Sequence, residues 1–114
     1  MSEAELQQQI RLLSKGDVRL FRFQCGQFEL KDGRRITVGV PGMSDLQGWK
    51  SVLVTQDMVG QRVAIYTALE IKTPGHKTKK ERLEKQLAFI ETVKSHGGIA
   101  EMVTSIEQAM ETLK

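Results

Sequence analysis

The sequence predicts an α/β fold: a helix, three or four antiparallel strands, a helix, a strand and a final helix, arranged around a mixed central sheet. Apolar residues at helical spacing predict helices over 3–14, over 79–95 and after Ser105. Between these helices, short apolar or alternating runs are separated by breaks that contain glycine or proline, which indicates strands. The length of 114 residues is typical of one domain, so we expect residues 1–114 to form a single domain.

The first half of the chain opens with the predicted helix over 3–14. Ser2 is a suitable N-cap, and Glu5 three residues later completes a capping box. Three strands are predicted to follow, over residues 18–25, 28–30 and 36–38. Asp32-Gly33 between the last two is a hairpin turn sequence, which predicts that these two strands pair.

The second half contains the most apolar run of the chain, Val63 to Ile71. We predict a strand over 51–55 and a long central strand over 62–72. The odd-numbered positions of the central strand are its more apolar face, so Ile71 is expected to point into the core. The remaining predicted elements are a helix over 79–95, a strand over 99–103 and a last helix capped by Ser105.

Composition and charge restrict the class of protein. The net charge of +3 suits a polyanionic partner without requiring one, and the only cysteine, Cys25, excludes an internal disulfide. No apolar run has the length of a membrane span, and the polar, acidic first residues are unlike a secretory signal. No glycine-rich loop ends in Lys-Ser/Thr, which argues against a nucleotide cofactor. His76 and His96 are too isolated to form a metal pair.

Asp45, Glu70 and Lys72 are the residues most suggestive of chemistry. Glu70 and Lys72 lie two apart at the end of the apolar run, so in a strand their side chains share a face. With Asp45 they supply two carboxylates, which suit Mg²⁺ or Mn²⁺, and a lysine, the minimal equipment for metal-dependent phosphodiester cleavage. Lys72 has two candidate roles, to orient or deprotonate the attacking water or to stabilise charge on the phosphate. The alternatives are a solvated loop aspartate and a simple Glu70–Lys72 ion pair.

Gln86 and Glu3 lie on the apolar stripes of their predicted helices. Gln86 follows Leu83 by three residues and is expected to face the sheet, where a polar amide needs a partner. That partner is Lys72, a metal-bound water or a phosphate, or else Gln86 is only a satisfied glutamine at the edge of the core. Glu3 either adds an acid to a cation site or is a first-turn glutamate favoured by the helix dipole.

Two groups of basic residues are candidates for binding nucleic acid. The larger group lies in the segment after Lys72, and the smaller follows the predicted hairpin turn; the residues are Lys77, Lys79, Lys80, Arg82, Lys85, Arg34 and Arg35. Beside a phosphodiester-cleaving site, such clusters indicate contacts with phosphates. The alternative is a solvated helix face.

Several motifs together resemble the virus-type replication-repair nuclease (VRR-NUC) family, within the PD-(D/E)xK nuclease superfamily. They are Ser2-Glu3-x-x-Leu6-Gln7, Val18-Arg19-Leu20-Phe21-Arg22, Gly39-Val40-Pro41-Gly42-Met43-Ser44-Asp45-Leu46, Ala68-Leu69-Glu70-Ile71-Lys72-Thr73, Gln86-x-x-Phe89-Ile90 and Gly97-Gly98-Ile99-Ala100. The superfamily has Pro-Asp where this chain has Pro41-Gly42-Met43-Ser44-Asp45, and Asp45 is taken as the equivalent acid.

The resemblance implies a restriction-endonuclease-like αβββαβ core with a mixed central sheet flanked by helices. It implies that Asp45, Glu70 and the Ile71 carbonyl are metal ligands, that Lys72 is catalytic, and that Gln86 and Glu3 belong to the same site. The short chain is similar to the stand-alone phage or bacterial members of the family. We therefore expect a cytoplasmic enzyme of a bacterial or phage-infected cell.

The expected activity is that of a Mg²⁺- or Mn²⁺-dependent DNA endonuclease. A homodimer that resolves Holliday junctions is the leading interpretation, because a two-fold dimer places two sites across a two-fold junction. The alternatives are a flap or non-specific nuclease that acts as a monomer, and a catalytically silent DNA-binding module.

Overall fold

The computed structural model describes residues 2–75 and 77–114, so His76 lies outside the described residues. The chain divides into two compact units, Met1–Val52 and Leu53–Lys114. Helices and small sheets alternate along the chain, which confirms the α/β class of the prediction. Among the described residues the strands pair as three two-stranded sheets, so a single mixed central sheet stays a prediction.

The first unit begins with a helix whose start is fixed by a capping box. Its described elements are α1 (Glu3–Arg11), β1 (Val18–Arg22), β2 (Gly26–Glu29), β3 (Arg35–Val38) and β4 (Leu46–Lys50). The Glu5 backbone N–H donates to Ser2 Oγ at 3.1 Å, and the Ser2 N–H donates to Glu5 Oε2 at 3.3 Å. Two N–H groups at the helix start are thereby satisfied, as the sequence predicts.

The predicted hairpin is present as the antiparallel pair of β2 and β3. Its turn depends on two residues. Gly33 has a φ of 88°, which a residue with a side chain adopts only with strain. Asp32 Oδ1 accepts a hydrogen bond from the Arg34 N–H at 3.0 Å. The Asp-Gly turn sequence therefore correctly predicts the pairing of the two strands, although both begin earlier than predicted, β2 at Gly26 and β3 at Arg35.

The strand predicted over 51–55 is wrong, because the strand lies over Leu46–Lys50 instead and pairs antiparallel with β1. The reason is close contact between the two backbones. A Cβ on Gly48 would overlap the carbonyl oxygen of Arg19, so glycine is required at this position. The Trp49 ring also packs on Phe21, with ring centroids 5.5 Å apart. Pairing with β1 thus outweighs the higher strand propensity of the valine-rich segment that follows.

The second unit is built on a parallel strand pair joined by a helix. Its described elements are the 3-10 turn Gln56–Met58, β5 (Thr67–Ile71), α2 (Lys80–Ser95), β6 (Ile99–Val103) and α3 (Ile106–Thr112). α2 is the crossover between β5 and β6, which a parallel pair requires. The buried apolar side chains among the described residues all lie in this unit, on α2 and β6; they are Ile90, Val93, Ala100 and Val103.

The prediction for the central strand is wrong in its length and in its buried face. β5 covers only Thr67–Ile71, because its partner β6 has five residues to pair with it. Ile71 is 74% exposed, and Val63 and Ile65 are exposed as well. α2 packs on the face of β5 that carries Glu70, where a Gln86 side chain reaches it. The position of the helix, and not the apolar periodicity, therefore decides which face of this strand is covered.

Candidate functional site

Glu70 and Lys72 lie together at the carboxyl end of β5, as their spacing predicts. Lys72 Nζ is 3.4 Å from Glu70 Oε1, and the side chains are 14% and 36% exposed, respectively. The Lys72 backbone N–H donates to the Val103 carbonyl at 3.0 Å, which fixes Lys72 against β6 just beyond the end of β5. The ammonium is thereby held beside a carboxylate that is still partly open to solvent.

Gln86 lies on the inward side of α2, and its partner is Glu70. Gln86 Nε2 donates to Glu70 Oε1 at 3.0 Å. The amide and the Lys72 ammonium therefore converge on the same oxygen, Oε1. Neither of these contacts uses Oε2, the second carboxylate oxygen, which is left to accept another partner.

The second feature of Gln86 is an acceptor that lacks a partner. Gln86 Oε1 is buried, and within the described part of the chain it has no hydrogen-bond donor. A buried acceptor in this condition costs free energy, and an added water or cation-bound water removes that cost. The oxygen donors at this strand end are the Glu70 carboxylate and the Gln86 amide oxygen, with the Ile71 backbone beside them. Such donors fit hard cations such as Mg²⁺ or Mn²⁺.

Glu3 and Asp45 line one cleft of about 380 Å³ in the first unit. Asp45 directly precedes β4, and its carbonyl accepts from the Phe23 N–H at 2.9 Å, which anchors it next to the end of β1. Glu3 is the first residue of α1. Neither carboxylate has an ion-pair partner among residues 2–75 and 77–114. The first unit thus brings two unpaired acids to one cleft.

The predicted site residues fall into two sets. Glu3 and Asp45 belong to the first unit, and Glu70, Lys72 and Gln86 belong to the second. In the described residues of neither unit is there a group of three or more His, Cys, Asp and Glu side chains placed to hold a metal ion. A Mg²⁺ ion needs fewer protein ligands than this, because it keeps several waters and takes one or two carboxylates.

The predicted nucleic-acid-binding residues differ in their surroundings. Lys77, Lys79 and Arg82 line a cleft of about 490 Å³ together with Lys72 and Glu70. Other members of the set have an acidic neighbour: Lys85 lies 3.7 Å from Glu81, and Arg34 lies 2.7 Å from Asp32. Lys80 and Arg35 are exposed.

Sequence reasoning missed Arg22, which lines the cleft of Glu3 and Asp45. Arg22 lies opposite Leu46 in the pairing of β1 and β4, one position from Asp45. This strand register places Arg22 at the same cleft as the two acids, and no local pattern in the sequence marks it. Thr73 and Thr78, which line the cleft beside Glu70, were missed as well. Their only local signal is their place within the basic segment.

Comparison of the chain with family models, with curated proteins and with solved structures finds no match. Of the helices in the described part of the chain, none is long and apolar enough to span a bilayer.

Proposed function

We propose that the chain is a Mg²⁺- or Mn²⁺-dependent DNA endonuclease of the VRR-NUC type. The observation that carries the proposal is the arrangement around Glu70. Lys72 and Gln86 both hold Oε1 of this carboxylate, while Oε2 is left available for a cation. A simple structural ion pair explains the lysine, but it does not explain the buried, unpartnered Gln86 Oε1 beside it.

The proposal gives each residue a role. In this proposal Asp45, Glu70 and the Ile71 carbonyl would be the metal ligands, and Glu3 would be a further acid. When bound, the ion polarises the phosphate and lowers the pKa of an attacking water. Lys72 either orients and deprotonates that water or stabilises the charge that develops on the phosphate. Gln86 acts through Glu70, because it fixes the orientation of the carboxylate.

The proposed fold is a restriction-endonuclease-like αβββαβ core with one mixed sheet. The element order, from α1 through the antiparallel strands to β5, α2 and β6, supports it.

The proposed substrate is branched DNA, and the proposed working unit is a homodimer that resolves Holliday junctions in a bacterial or phage-infected cytoplasm. Paired cuts need two sites at a fixed separation, which a two-fold dimer supplies. Exposed apolar residues in the segment after β4 support a contact between copies. Leu53 is 90% exposed, Val54 83% and Val59 73%.

A cleavage assay with a matched pair of variants tests the proposal. The full chain is incubated with a four-way junction, a flap, a duplex and a single strand, with Mg²⁺, with Mn²⁺ and with a chelator. We expect divalent-dependent, paired cuts in the junction, no cleavage by Glu70→Gln, and normal cleavage by Glu84→Gln, which makes the same charge change at an exposed position of α2.

Three other outcomes have defined meanings. Binding of DNA without cleavage under either ion would replace the nuclease with a silent DNA-binding module. Equal cutting of junction and flap by a protein that is monomeric in light scattering would remove the junction preference and the dimer. Equal activity of the Glu70→Gln and Glu84→Gln variants would contradict the site.

A further inference from the structure

The cleft beside Glu70 is unusually rich in positive charge. Lys72, Lys77, Lys79 and Arg82 line it, and Glu70 is its one acidic lining residue among those that the structure describes. Of the four basic residues, Lys72 is paired with that carboxylate at 3.4 Å. Cations gathered in one concave surface repel one another and raise the local concentration of anions.

Lys77, Lys79 and Arg82 have no acidic partner within 4.0 Å anywhere in residues 2–75 and 77–114. Two residues that carry hydroxyl groups, Thr73 and Thr78, line the same cleft. Ammonium, guanidinium and hydroxyl groups are all donors, and charged donors form the strongest hydrogen bonds with phosphate oxygens. The lining of the cleft is therefore suited to a phosphate group.

The same segment contains two lysines that serve as an internal comparison. Lys80 and Lys85 lie within a few residues of the cleft, yet neither is among the described residues that line it. Lys85 is instead 3.7 Å from Glu81, and both side chains are largely exposed; it lines a neighbouring cleft with Gln86. The basic stretch of sequence thus divides into residues that line this cleft and residues that do not.

We propose that Lys77, Lys79 and Arg82 form a phosphate subsite, separate from Lys72, that holds a DNA backbone phosphate next to the one at Glu70. The choice of DNA as the source of that phosphate rests on the proposed function, whereas the affinity for phosphate does not. The subsite fixes the register of the strand in the cleft, because a phosphate held beside the reacting one determines which bond lies at Glu70.

Two double variants with the same change in charge test the subsite. The cleft variant is Lys77→Glu with Lys79→Glu, and the control variant is Lys80→Glu with Lys85→Glu. Anisotropy of a labelled four-way junction is measured in chelator, so that no cleavage occurs, across a series of salt concentrations. We expect the cleft variant to bind about tenfold more weakly than the control variant, and its salt dependence to fall by about one unit of slope per lost phosphate contact.

Inorganic phosphate is added as a competitor to distinguish the sources. If inorganic phosphate competes with junction binding by the control variant but not by the cleft variant, the subsite binds phosphate groups in general. If the two variants differ in junction binding but inorganic phosphate competes with neither, the subsite is specific for the phosphodiester backbone. Equal junction binding by both variants would overturn the subsite. Absence of cleavage by the wild-type chain would contradict only the nuclease, since the binding comparison does not depend on it.

Discussion

Gln86 Nε2 lies 3.0 Å from Glu70 Oε1, a hydrogen bond that joins α2 to the carboxyl end of β5. A glutamine on the inward face of a helix, bound to a carboxylate that also contacts a lysine, orients that carboxylate. The arrangement is useful for metal binding, since a ligand held in one rotamer loses less entropy when an ion binds.

The first prediction concerns this hydrogen bond. Gln86→Leu keeps the approximate volume of the side chain but removes the donor, so Glu70 is no longer held. We expect metal affinity and cleavage to fall by about 10- to 100-fold, the usual effect of removing a partner of a metal ligand. The control is Thr92→Ala on the same helix. The Thr92 hydroxyl donates to the Ala88 carbonyl within α2 at 3.0 Å. Unchanged metal affinity in Gln86→Leu would contradict the positioning role.

The second prediction separates metal binding from catalysis. If the proposed function is correct, Asp45→Ala and Glu70→Ala each remove a metal ligand, so both should lose Mn²⁺ binding and cleavage. Lys72→Ala should lose cleavage by about 100-fold or more, because an electrostatic stabiliser is removed. It should nevertheless bind Mn²⁺ at least as tightly as the wild type, because the ammonium 3.4 Å from Glu70 no longer competes with the ion. Calorimetric titration of Mn²⁺ in the absence of DNA measures this, and loss of Mn²⁺ binding in Lys72→Ala would be inconsistent with it.

The features that sequence could predict depend on residues close together in the chain. The capping box at Ser2, the Asp32-Gly33 turn and the cap at Ser105 all depend on contacts within a few positions. The contact of Glu70 with Lys72 follows from strand periodicity, and the inward direction of Gln86 follows from helix periodicity.

The features that sequence could not predict depend on distant pairing. Gly48 lowers the local strand propensity, yet it permits the approach of β4 to β1, so the strand lies before the apolar segment and not within it. The exposure of Ile71 depends on which face of β5 is covered by α2, and apolar periodicity alone does not predict that face. Arg22 reaches the cleft of Asp45 through the register of two strands far apart in sequence.

The third prediction tests the backbone contact at Gly48. Gly48→Ala places a methyl group against the Arg19 carbonyl, which must move before β1 and β4 can pair. We expect the free energy of unfolding to fall by about 1–3 kcal/mol, the usual cost of overpacking, or by more if the strand pair is lost. Trp49 is the only tryptophan of the chain, so its fluorescence during denaturant titration follows this strand directly. Lys50→Ala, at the exposed end of β4, is the control, and a wild-type midpoint in Gly48→Ala would show that the strand pairing is different.

The last prediction concerns alkaline pH and Tyr66, the only tyrosine of the chain. Burial raises the pKa of the Tyr66 hydroxyl above its usual value, because the phenolate is poorly solvated within the second unit. In the unfolded chain the same hydroxyl ionises near pH 10. Above that pH the unfolded state releases the proton while the folded state keeps it. The contribution of Tyr66 to the free energy of unfolding is therefore fully present below the unfolded pKa, and it is lost as pH rises through the folded pKa.

Two measurements check this prediction. The ultraviolet absorbance of tyrosinate, followed as a function of pH, should have a higher midpoint in the folded protein than in denaturant. Tyr66→Phe should make the free energy of unfolding less dependent on pH above about 10. Every other ionisable group is present in both proteins, so the difference between wild type and Tyr66→Phe isolates the tyrosine. The same tyrosinate midpoint in folded and unfolded protein would mean that the Tyr66 ring is solvated, and that the segment before β5 does not pack as it does in this structure.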